Sequence, residues 1–191
     1  MGSFAKKMKR KNKSREQKPR KENPHASGAE ILGIYSAVRD TKALIGDTID
    51  TFFLMARLAM HRAFGFGTKR WTRLLEKMRS YVICMGYFDP QGRSYVTPEE
   101  IDQALKEEAK MVVIGNVPLP KDPVGALRME TQDNMSRCFM LALLDAFDFK
   151  GQRIHRAYDA IADIGDEMIA GRMTKNDLAK KVAELDGRKA A

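Results

Sequence analysis

From Ser27 onward, apolar residues recur at helical spacing. Ile31, Ile34, Tyr35, Val38 and Ile45 form one stripe, with Lys42 in register, and predict a leading helix over 27–46. A second helix is expected from Thr48 to Phe64, with Asp47 as its N-cap and Asp50 in its first turn. Gly65-Phe66-Gly67 should stop it, because glycine takes the left-handed geometry of a helix end without steric cost. A third helix is predicted from Thr68 to Tyr87, with Trp71, Leu74, Leu75, Met78, Val82 and Met85 on one face. Asp89 to Ser94 is a polar loop. Thr97-Pro98-Glu99-Glu100 then gives a helix start, with a hydroxyl cap, proline first and acids in the first turn. That helix reaches Lys110. Met111 to Ile114 reads as a short strand, and 115–126, with Pro118, Pro120 and Pro123, as an extended linker.

After the linker the pattern returns. Placing Thr48 on Thr131 puts Asp50 on Asp133, Leu58 on Leu141, Ala59 on Ala142 and Ala63-Phe64 on Ala146-Phe147. The same register puts Phe66 on Phe149, Arg70 on Arg153 and Arg73 on Arg156. With a later loop shorter by six residues, Val96-Thr97 falls on Met173-Thr174. Identities at matching helix boundaries are hard to ascribe to shared helical composition alone. The chain therefore reads as all-α: a helical bundle of two diverged helix–turn–helix–loop–helix repeats, units 47–114 and 127–191, joined by the Pro-rich linker 115–126.

Residues 1–26 follow different rules. They hold Lys6, Lys7, Lys9, Arg10, Lys11, Lys13, Arg15, Lys18, Arg20 and Lys21 against Glu16 and Glu22, ten cations less two anions, or +8 of the chain's net +9. With almost no apolar side chains to offset ordering entropy, this segment reads as a disordered basic arm, while the body is near neutral. Hydrophobic content of 43% is ample for a core. No apolar run approaches the roughly 20 residues of a membrane span, and the N-terminus lacks a secretory stretch, so a cytoplasmic location is expected. Cys84 and Cys138 fall in apolar helical patterns and read as buried free thiols. His25, His61 and His155 are too scattered for a zinc site.

The stretch Ala63-Phe64-Gly65-Phe66-Gly67-Thr68-Lys69-Arg70, with Tyr95-Val96-Thr97-Pro98-Glu99-Glu100-Ile101 and Gln103-Ala104-Leu105-Lys106-Glu107-Glu108, resembles short helical proteins encoded by phages and prophages of gram-positive bacteria. The resemblance implies a mobile-element setting without an assigned activity. The second unit departs from it, with Phe147-Asp148-Phe149-Lys150-Gly151 in place of the glycine turn.

Candidate chemistry narrows from there. Asp89 to Glu100 has the outline of a calcium loop, but Gln91, Arg93 and Ser94 stand at its third, fifth and sixth positions, and Arg93 puts a cation in the cage. The loop from Asp166 to Asp177 offers Met168 and Ala170 at its third and fifth positions. No metal or other cofactor is expected. Asp50 and Asp133 read as structural first-turn acids. Asp145, Asp148, Asp159, Asp163, Asp166 and Glu167 read as a solvated face rather than a nuclease centre. With no nucleophile–base arrangement or phosphate-cradling glycine loop, no enzyme is expected. The arginines resist such readings. Lys69, Arg70 and Arg73 crowd one helix start and Arg153, His155 and Arg156 another, where the dipole disfavours cations and free N–H groups favour anions. The plain alternative is pairing with carboxylates such as Glu76, Asp145 or Asp148, or simple solvation. The segment Leu54 to Met78 also fits a loose helix-turn-helix, although Trp71, Leu74 and Leu75 look like core.

The leading expectation is a non-catalytic accessory protein of a phage or mobile element. It would bind DNA or RNA without sequence preference through the ten arm cations together with Lys69, Arg70, Arg73, Arg153 and Arg156. The alternative is a protein-binding module that inhibits or modulates a host defence or replication enzyme, of the anti-defence or anti-CRISPR kind.

Overall fold

The computed structural model describes residues 28–86, 96–110 and 119–187. The basic arm at 1–26, the loop at 89–94 and the strand expected at 111–114 lie outside them. Among the described residues every regular element is helical: α1 (Gly28–Phe64), α2 (Thr68–Gly86), α3 (Pro98–Glu108), α4 (Pro123–Phe147), α5 (Gln152–Ile169) and α6 (Lys175–Leu185). None of these described helices is long and apolar enough to cross a membrane.

Two boundaries differ from the sequence reading. The leading helix and the second helix are one element, since nothing at 46–48 breaks the backbone ladder. Gly46 costs a helix interior only about 1 kcal/mol. Asp47 caps nothing and instead accepts from Lys175 Nζ at the start of α6. Asp50 and Asp133 consequently lie in helix interiors, exposed, and not in first turns. The helix after the linker also starts earlier than expected. Asp122 caps α4 by accepting from the Gly125 N–H, and Pro123 stands at the first helical position, where its missing N–H costs nothing.

The core explains why α1 and α4 are the central pair. Residues 55–60 and 138–144 are buried on all sides of their helices, at matching places in the two halves. A helix apolar all round must be covered all round. That cover is exchanged between halves: α2 and α3 pack on α4, whereas α5 and α6 pack on α1, and α1 packs on α4. Each first helix is thus sheathed by the second and third helices of the other half.

The connections correspond as well. Gly65 (φ +63°) and Asp148 (φ +50°) both turn left-handed after their helices. Gly65 N–H donates to His61 O at 2.9 Å and Phe66 N–H to Met60 O at 3.2 Å; Asp148 and Phe149 donate to Leu144 O and Leu143 O at 3.0 and 3.2 Å. Thr97 with Glu100, and Thr174 with Asp177, close capping boxes at the starts of α3 and α6. The twelfth residues of both would-be calcium loops are therefore helix caps. Cys138 is buried and Cys84 half-buried, both as free thiols. Burial pushes the Cys138 thiol up to about 12, so it stays protonated at neutral pH.

Candidate anion-binding cleft

The exchanged packing brings the starts of α2 and α5 to one place. Phe66 and Phe149, just past the two helix ends, are buried with ring centroids 6.2 Å apart. Each also meets the last residue of the other half's central helix: Phe64–Phe149 and Phe66–Phe147 both lie at 4.9 Å. Four rings make a floor. Offset and edge-to-face contacts of this kind add about 0.5–1.5 kcal/mol per pair beyond burial.

Over that floor stand the arginines. The Arg70 guanidinium lies 5.8 Å from the Phe66 ring and Arg153 lies 5.6 Å from Phe149. Arg73 lies 5.3 Å from Phe147 and Arg156 lies 5.1 Å from Phe64. The second pair reaches across the halves and the first does not, so aligned arginines make like ring contacts. Together with Lys69 and Gln152 these residues line an open cleft of about 810 Å³ in which no lining residue is acidic. The sequence reading had two separate cation clusters at helix starts; the structure brings them to one cleft.

The plain alternative of carboxylate pairing does not hold. Asp145 is occupied by Lys77 at 2.7 Å and the Tyr81 hydroxyl at 2.9 Å, and Asp148 by Lys150 at 3.1 Å. Among the described residues, none of Lys69, Arg70, Arg73, Arg153 or Arg156 has a carboxylate partner. Five cations therefore share one cleft without a counterion among the described residues. Glu167 is also engaged, accepting from Arg62 at 3.1 Å, which leaves the supposed acidic face less free than its spacing suggested. His155 is exposed and does not line the cleft. In the helix-turn-helix reading, α2 should offer a free recognition face. Instead Trp71, Leu74 and Met78 are buried and Arg70 and Arg73 form one wall of a concavity.

Comparison with protein-family models, curated proteins and solved structures finds no match. The functional reading rests on the geometry.

Sequence reasoning missed two features. The four phenylalanines were visible as aligned pairs, but nothing local said that they would meet. Arg57 was the other. It is 1% exposed, the one charged residue buried among the described residues, and its Nη1 donates to Phe66 O at 2.7 Å. Its Nη2 donates to Asp186 at 2.8 Å, and its guanidinium sits 5.7 Å from the Trp71 ring. A lone cation in Met55-Ala56-Arg57-Leu58-Ala59-Met60 was the available signal that a partner must exist.

Proposed function

We propose that this chain is a non-catalytic nucleic-acid-associated protein, of the accessory kind found in mobile elements, whose cleft holds phosphates while its basic arm adds non-specific attraction. One observation carries the reading: five cations, none neutralised by a carboxylate among the described residues, converge on one concavity. Guanidinium groups match phosphate oxygens with paired N–H donors, and the backbone N–H groups at the α2 and α5 starts favour the same charge. α5 has no side-chain cap and neither helix has an acid in its first turn, so neither helix neutralises its own positive end. The arm supplies charge without aromatic side chains beyond Phe4, which suits tethering rather than base recognition.

The test is a titration with nucleic acid followed by NMR of arginine Nε–H resonances. Arg70, Arg73, Arg153 and Arg156 should shift together, while Arg57, held by Asp186, stays in place. Shifts confined to Arg128 and Arg172, away from the cleft, would remove the proposal. A response to an acidic polypeptide with none to nucleic acid would favour a protein-docking inhibitor instead.

A further inference from the structure

Resting on that nucleic-acid reading, we infer that the cleft takes an unpaired strand and not a duplex. A duplex carries its phosphates on a convex outer surface, with its bases stacked away inside. The cations here line a concavity, and its floor is aromatic. Only a chain that can enter and splay its bases reaches both features at once.

The layering supports this. Phe64 and Phe147 are half-buried at the edge of the floor, beneath Arg156 and Arg73. A guanidinium is planar and weakly hydrated, so one seated against a ring leaves its outer face as a platform for a base. Arg70 and Arg153, in the first turns of their helices, sit at the positive ends of the helix dipoles and suit phosphates. The cleft therefore offers two near-equivalent half-sites: Arg70 with Arg73, and Arg153 with Arg156. Each has a phosphate-binding cation and a stacking cation. The half-sites differ at Lys69 against Gln152, which gives the first an extra charge. Past Arg153 a second hollow of about 530 Å³ continues the path, with Lys110 and Lys150 beside Glu108 and Asp148. A strand longer than the two half-sites has somewhere to go.

The experiment uses the full chain and a labelled oligothymidine longer than the roughly 4–16 nucleotides that single-strand grooves cover, alone and annealed to its complement. Affinities are read by anisotropy for wild type, Arg73→Gln/Arg156→Gln and Arg73→Lys/Arg156→Lys. The Gln pair should weaken strand binding by at least about tenfold, the range expected for lost stacking, with duplex binding through the arm changed less than about twofold. The Lys pair keeps the charge and most of the stem, so it answers the question even if the Gln pair fails to fold. It should keep the wild-type salt dependence yet still lose most of the strand preference. If strand and duplex weaken equally, the cleft is a general backbone site and the inference falls while the nucleic-acid reading stands. If neither weakens in either variant, the cleft does not bind nucleic acid and both fall.

Discussion

An arginine over a phenylalanine ring gains about 0.5–1 kcal/mol at an exposed site. The same cation in the first turn of a helix loses about 0.3–1 kcal/mol against the dipole. For Arg70 and Arg153 the two nearly cancel, so folding stability alone does not account for them. Arg57 is different. Its charge is buried and its partner Asp186 is one-fifth exposed, so the pair should fail asymmetrically. Asp186→Ala strands a buried cation and should cost about 3 kcal/mol, whereas Arg57→Met, which strands a partly hydrated carboxylate, should cost less. Urea unfolding of the two variants checks the order. Asp145 adds a pH dependence. Burial works against its ionised form, but hydrogen bonds from Lys77 and Tyr81 and the Lys77 charge prevail, holding it below the usual aspartate value. A depressed carboxylate stabilises the fold above its unfolded pKa, and that contribution fades as pH falls through the folded value. The stability gap between wild type and Asp145→Asn should therefore be widest near neutral pH and narrow below about pH 4. A gap that widened on acidification would contradict the assignment.

At the level of the elements, most of the fold was legible where local chemistry decides it. The Thr97 cap, the Gly65 stop and the Trp71-Leu74-Met78 face all follow from residues within a few positions of one another. The merged α1 was not legible, because Asp47 looks like a cap until Lys175, far along the chain, is seen to take its carboxylate. Asp148 was misleading in another way. It lacks the freedom of glycine yet adopts the turn that Gly65 adopts, helped by the tolerance of aspartate for left-handed backbone. The two positions should respond with opposite signs. Gly65→Ala should destabilise by about 1 kcal/mol, although no atom lies near the added methyl, since the cost is conformational. Asp148→Gly should leave stability unchanged or raise it slightly, having relieved the same strain. Thermal melts of both variants decide the matter, and a stabilising Gly65→Ala would show that the turn is not under this constraint.

For the whole molecule, the exchange of α2 and α3 for α5 and α6 was beyond the sequence. Aligning two halves reveals corresponding residues but not which half each will touch. The four phenylalanines, and with them the cleft, become visible only when Phe64 meets Phe149 and Phe66 meets Phe147. Because each central helix is covered by the other half, neither half should fold alone, and unfolding should be a single transition seen alike by Trp71 fluorescence and far-ultraviolet circular dichroism. Two separated transitions would mean that the halves are independent. The central claim, that the converging arginines bind phosphates, is tested most directly by the salt dependence of nucleic-acid affinity in the full chain. Each phosphate contact contributes about 0.7–0.9 to the slope of log affinity against log salt. Replacing Arg70, Arg73, Arg153 and Arg156 by Gln should make that slope, for a single strand, shallower by at least about 1.4, the loss of the Arg70 and Arg153 phosphate contacts, while the protein stays folded. A folded quadruple variant with the wild-type slope would contradict the account.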